Sequence, residues 1–180
     1  MTPDELEKRL AATENAVKDL EKRLQTTQDI DEVKKLHYRY IDALMLCEWD
    51  RITDMFAENS TFDVAGPKGV TVRKGKTDIE KYFKENLALT HVGKEGDVLV
   101  HPDISVEGDK ATGRWWLYMM YYHPQTYQSL LWVQGVYDME YVKVNGQWKF
   151  SYLKFRPRIE PPDGPPNPEY VLNFLKKISS

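Results

Sequence analysis

His37 and Tyr40 stand three residues apart in Leu36-His37-Tyr38-Arg39-Tyr40, a spacing that puts both side chains on one face of a helix. A tyrosine hydroxyl can protonate a departing oxygen or a developing enolate, and a neighbouring imidazole can take a proton. The plainer alternative is a core tyrosine bonded to a backbone carbonyl beside a satisfied core histidine. His91 falls in a polar stretch with Lys94, Glu95 and Asp97, where an imidazole is ordinarily solvated. His101 sits in the strand-like run Leu99–Ile104, and His123 precedes Pro124 at a turn. His91 or His101 could accept a proton near neutrality, since a free imidazole titrates at about 6.5. Arg156 and Arg158 offer guanidinium forks for a carboxylate or an oxyanion, or ordinary pairing with Glu160 or Asp163.

Metal and nucleotide chemistry are not expected. The four histidines have no short ligand spacing, and Cys47 is the single cysteine, which also excludes an internal disulfide. Gly75-Lys76-Thr77 resembles the end of a phosphate loop, but Val70 occupies the position of its first glycine. No Gly-x-Gly-x-x-Gly occurs, which argues against a dinucleotide, and no cofactor is expected.

The elements that must position these groups divide into a helical first half and a strand-rich second half. Leu6, Leu10, Thr13, Val17, Leu20 and Leu24 recur in alternating steps of four and three, the seam of a coiled coil. So short a seam is marginal alone, and it must bury itself on the body of the protein or on a sister helix. Capping residues at Thr26-Thr27-Gln28-Asp29 predict a turn, followed by a second helix from about Ile30 to Cys47. A short helix at Trp49–Phe56, strands at 60–64 and 70–73, and a helix from Asp78 to near Leu89 follow.

From Val98 the period becomes two, predicting strands at about 98–107, 110–123, 128–144 and 147–157. Asn145-Gly146 between two alternating runs is a strong hairpin signal. Five prolines in 157–166 break the pattern, and a final helix is expected over Glu169–Ile178. Helices followed by a meander of strands indicate an α+β fold, with helices packed on one sheet face. The boundaries read as an assembly helix at 1–27, one α+β domain at 28–158, and a Pro-rich segment with a helix at 159–180.

Aromatic residues reach 12%, with 11 Tyr and 5 Trp. In 115–122 both strand faces are apolar or aromatic, one fitting a pocket wall and the other a subunit interface. The other face could instead be covered by a terminal helix of the same chain. Walls carrying Tyr118, Tyr121, Tyr122, Trp116 and Trp132 suit a flat, apolar, oxygenated ligand, though a packed sheet has the same content. A net charge of −3 with a pI near 5.8 gives no basic field for nucleic acid. The absence of a long apolar run or an apolar leader points to a cytoplasmic protein with no membrane contact.

Several motifs in order carry a family resemblance. They are Asp31–Tyr40, Trp49-Asp50, Phe56–Phe62, Gly108-Asp109-Lys110-Ala111-Thr112-Gly113-Arg114-Trp115, and Tyr141 with Gly146-Gln147-Trp148-Lys149-Phe150. Residues 28–158 thereby resemble the SnoaL-like branch of the nuclear transport factor 2-like superfamily, nearest to the bile acid 7α-dehydratase and scytalone dehydratase-type lyases. The resemblance implies a cone-shaped α+β barrel: a curved, mixed, mainly antiparallel sheet wrapped around helices, with an extra N-terminal helix. It also implies catalytic roles for Tyr40, His101, His91 and Arg158. Substrate contacts are implied at His37, Met45, Trp115, Met119, Tyr121 and Arg156. Met45 and Met119 occupy positions where the dehydratases are expected to carry Asp.

The implied function is a cofactor-independent lyase or dehydratase. It would eliminate water or a fragment such as formaldehyde from a hydrophobic, oxygenated, aromatic or polycyclic small molecule. The alternative is a binding or assembly module of the same fold, which the two methionines favour. A homo-oligomer is expected, a trimer before a dimer.

Overall fold

The computed structural model describes residues 2–66, 69–89, 91, 93, 96–122 and 130–159, without the side chains of 121, 122, 130–132 and 159. The expected helix at 169–178 lies outside these residues.

Helix α1 (Pro3–Met45) opens with a capping box. The Thr2 backbone N–H donates to the Glu5 carboxylate at 2.7 Å, the Glu5 N–H donates to Thr2 Oγ1 at 3.3 Å, and Pro3 takes the first turn. The helix runs without the expected turn at 26–29. Thr26 and Thr27 do not cap a new helix; their hydroxyls donate back to the Lys22 and Arg23 carbonyls, at 3.0 and 2.9 Å. Asp29 serves a tertiary role: it accepts from Trp148 Nε1 at 3.1 Å, from Gln25 at 3.2 Å and from Lys143. Burial alone would raise the Asp29 carboxyl, but these bonds and the Lys143 charge hold it below the usual carboxylate range. This buried ion pair marks where α1 enters the body of the protein.

There follow α2 (Trp49–Asp54), β1 (Phe56–Gly66), β2 (Gly69–Lys74), α3 (Lys76–Glu85) and a 3-10 turn at Leu87–Leu89. The strands β3 (Gly96–Glu107), β4 (Lys110–Tyr122), β5 (Leu130–Val144) and β6 (Gln147–Ile159) form the meander. The six strands make one curved, open sheet in the order β2-β1-β6-β5-β4-β3. Among the described residues β1 and β6 pair in parallel, and the other pairs are antiparallel. Asn145 and Gly146 both adopt positive φ (51° and 78°), as a two-residue hairpin between β5 and β6 requires.

The pleat sorts the sheet into two faces. Ala111, Trp115, Leu117 and Met119 of β4 and Tyr137, Met139 and Tyr141 of β5 point inward and are buried. Their even-numbered neighbours point to the outer face. Half of α1 fills the concave side through Val33, Leu36, His37, Tyr40, Ile41 and Leu44. The functional groups of the interior therefore come from the second half of α1, the odd positions of β4 and β5, and the start of β3.

Candidate functional site

Deep in the sheet, α1 and two strands meet in a hydrogen-bonded aromatic knot. The Trp115 indole N–H donates to the Tyr141 hydroxyl at 2.9 Å, and that hydroxyl lies 3.0 Å from His37 Nδ1. An indole can only donate. The Tyr141 hydroxyl therefore accepts from Trp115, and its second bond is to His37 Nδ1. Among the described residues Nε2 has no hydrogen-bond partner. Its ring is enclosed by Tyr40, Trp115, Tyr137, Tyr141 and Phe150 at centroid distances of 4.6–6.5 Å. Gly113 makes room for the knot: a Cβ there would stand 3.0 Å from the Tyr141 ring and 3.2 Å from both Trp115 Nε1 and the Tyr141 hydroxyl.

Burial pushes the His37 pKa down to about 3 and drives Tyr141 far above the usual phenol range despite the indole bond. Both groups therefore stay neutral near pH 7. The knot holds Tyr40, whose ring meets His37 edge-on at 5.8 Å and Tyr137 at 6.3 Å.

The second polar cluster lies where α1 ends. The Asp97 backbone N–H donates to the Met45 sulfur at 3.2 Å. Asp97 is also the register partner of Met119 across β3 and β4, so the two side chains share the inner face. Its side chain is 8% exposed, as is that of His91. His91 Nδ1 lies 3.1 Å from the Leu87 carbonyl. Since that oxygen can only accept, Nδ1 carries the hydrogen and Nε2 is the basic nitrogen. The His91 ring stands edge-on to Trp49 at 5.8 Å, and Gly93 lies against the Met45 carbonyl and Cys47. Gly93 and Asp97 thus lie against the end of α1, and His91 and Asp97 place an imidazole and a carboxylate in the interior.

Three of the expected site residues lie elsewhere. His101 is exposed, at φ 53°, within the bulge that shifts the β3–β4 register between Val100 and Asp103. Arg156 points to the outer face, where it donates to the Asp63 carboxylate at 2.6 Å and the Asp63 carbonyl at 3.0 Å. Arg158 lies over the Trp116 ring on that same face, 4.9 Å from its centroid. Tyr40, His37, Trp115, Met45, Met119 and His91 do share the interior. The side chain of Tyr121 lies outside the described residues. Asp97 was missed because its neighbours Lys94, Glu95 and Gly96 read as a loop; only its parity with the Val98–Leu117 strand pattern could have revealed it.

An open groove of about 1000 Å³ along Lys110, Thr112, Glu140 and Val142 contains none of Tyr40, His91 or Asp97. Among the described residues, no cluster of three or more His, Cys, Asp or Glu could hold a metal ion, and no helix is long and apolar enough to cross a membrane.

The pattern of a SnoaL-like domain matches residues 25–154. The chain belongs to the SnoaL-like family. Its fold is that of the nuclear transport factor 2-like superfamily, with an α1 that extends well ahead of the matched domain. The SnoaL-like fold is shared with a candidate scytalone dehydratase from Novosphingobium aromaticivorans, at 17% identity and TM-score 0.67, over 81% of this chain and 96% of that one. A hexachlorocyclohexane dehydrochlorinase from Novosphingobium barchaimii is similar at 17% identity and TM-score 0.67, over 78% and 93%. A third similar structure is an NTF2-like protein with a cystatin-like fold from Novosphingobium aromaticivorans, at 17% identity and TM-score 0.67, over 86% and 96%. These likenesses are of fold.

Proposed function

We propose that this SnoaL-like protein is a cofactor-independent lyase that eliminates water or a small fragment from an apolar, oxygenated small molecule. The observation that carries this reading is the buried carboxylate of Asp97, set against Met45 and Met119. These are the two positions where the resemblance implies carboxylates, and β3 supplies one between them. Dehydration and dehydrochlorination, named for two of the similar structures, are both eliminations, and this supports the reaction class.

In this reading His91 Nε2 removes a proton from a substrate carbon acidified by a neighbouring carbonyl or ring. The electron pair of that C–H bond becomes the new double bond, and the bond to oxygen breaks with its pair on the oxygen. The Tyr40 hydroxyl protonates the departing oxygen, and the imidazolium then returns its proton to the phenolate, which resets both groups. Asp97 stabilises the imidazolium formed at His91, a charge that a low-dielectric interior would otherwise penalise. The knot of His37, Tyr141 and Trp115 keeps the Tyr40 ring in place. The aromatic interior suits a flat substrate with few polar groups.

Incubation of the protein with a panel of cyclic hydroxyketones, phenolic alcohols and polycyclic alcohols, followed by mass spectrometry, tests the proposal. A product lighter by one water supports it, as does one lighter by formaldehyde, in which the base takes the hydroxymethyl O–H proton, the C–C bond breaks with its pair on the ring carbon and that carbon is protonated. Ligand-dependent thermal stabilisation with no product from any member makes the protein a binder.

A further inference from the structure

The first half of α1 presents a surface that the rest of the described chain does not cover. Leu6, Leu10, Leu20 and Leu24 are each 55–59% exposed, and Val17 is 47% exposed. At about 100° per residue, their mean direction lies roughly 160° around the helix from that of Asp29, Val33, Leu36, Tyr40 and Leu44. The apolar seam therefore faces away from the side of α1 that packs into the sheet. Beyond Leu24 the same stripe turns polar: Asp31, Lys35, Tyr38 and Asp42 occupy it, all exposed, with Lys35 paired to Asp31 at 2.6 Å. The seam ends where the body of the protein begins.

The flanking charges have an order of their own. With Leu10, Val17 and Leu24 at the a positions and Leu6, Thr13 and Leu20 at d, every e position in this stretch is Glu (Glu7, Glu14, Glu21). The g positions are Arg9, Ala16 and Arg23. In a parallel pair each g residue meets the e residue five positions on in the other helix. Arg9 then meets Glu14 of the partner subunit, and the reverse pair forms by symmetry. In an antiparallel pair e faces e and g faces g, which sets Glu against Glu and Arg against Arg. Thr13 already donates its hydroxyl to the Arg9 carbonyl at 2.8 Å, so burying it in the seam leaves no unmet hydroxyl donor.

We infer that residues 6–24 of α1 form a parallel coiled coil with further copies of this chain. Because the seam lies opposite the face that enters the sheet, the bodies hang outward on different sides of a shared stalk, all at its same end. Each copy keeps its interior site complete, so the inference stands independently of the proposed lyase activity.

Sedimentation of the full chain at micromolar concentration tests this, with Leu10→Ser/Leu20→Ser as the comparison and circular dichroism melting as the check on folding. A second arm places Leu10→Cys in a Cys47→Ser background under mild oxidation. The expected results are a dimer or trimer for the natural chain, a folded monomer for the double serine variant, and a disulfide joining position 10 of two copies in more than half of the molecules. A monomeric natural chain overturns the inference. So does an assembly that survives the double substitution, or one that gives no cross-link between the two positions 10. A monomer that loses stability on Leu10→Ser/Leu20→Ser also overturns it, because another segment of the same chain would then cover the seam.

Discussion

Asp97 faces Met119 directly across β3 and β4 on the inner side of the sheet. A thioether beside a buried carboxylate adds no second charge, so Asp97 is the one carboxylate of this cross-strand pair. Met119→Asp would place two carboxylates in a directly opposed pair inside the protein. The expected result is a loss of at least about 1 kcal/mol of stability at pH 7, with part of it recovered at pH 5 as one carboxyl takes a proton. Urea unfolding at the two pH values checks this.

Tyr40→Phe keeps the ring that packs against His37, Tyr137 and Phe150 and removes only the hydroxyl. Turnover of whichever panel substrate reacts should fall more than tenfold, with the protein still folded and melting only a few degrees lower at most. Unaltered turnover would remove Tyr40 from the role of acid.

His101→Ala and Arg158→Ala act on an exposed bulge and on the outer face. Each should leave kcat/KM within about twofold of the natural value, as surface changes remote from a site do. A large loss from either would relocate the site to the outside of the sheet.

His37 links the interior knot to pH. Its folded pKa of about 3 lies below the 6.5 of an ordinary imidazole, so the unfolded chain binds a proton that the folded chain refuses. Stability from this residue is fully present above pH 6.5 and declines as pH falls from there toward 3. The slope is about 1.4 kcal/mol per pH unit, so the decline between pH 6.5 and 5 is roughly 2 kcal/mol. His37→Gln, which offers Tyr141 an acceptor but does not titrate, should flatten that part of the urea-midpoint profile. Parallel profiles for the two proteins would show that His37 does not govern it.

Much of this was legible in the residues. Period-two alternation from Val98 onward and Asn145-Gly146 placed the long strands to within a few residues. The heptad steps of the N-terminal stretch fall on apolar residues that the rest of the described chain leaves exposed. The break expected at 26–29 failed because Thr and Asp serve equally well as caps and as side chains bonded elsewhere. Here two hydroxyls turned back to the preceding helical turn, and Asp29 was held by Lys143 and Trp148, more than a hundred positions away. The face that Arg156 and Arg158 take was not legible, because it depends on register, and β5–β6 slips between Gln134 and Gly135 and between Glu140 and Tyr141. Asp97 stayed hidden among loop-forming neighbours until the pairing of β3 with β4 revealed its direction.

The role of Asp97 is tested most directly by kcat/KM for Asp97→Asn beside the natural protein on the same reactive substrate, with equal melting temperatures as the control for folding. A fall of about a hundredfold or more is expected, with a matching fall for His91→Gln. Full activity in Asp97→Asn, with the fold intact, would contradict the assignment of the carboxylate that works with His91.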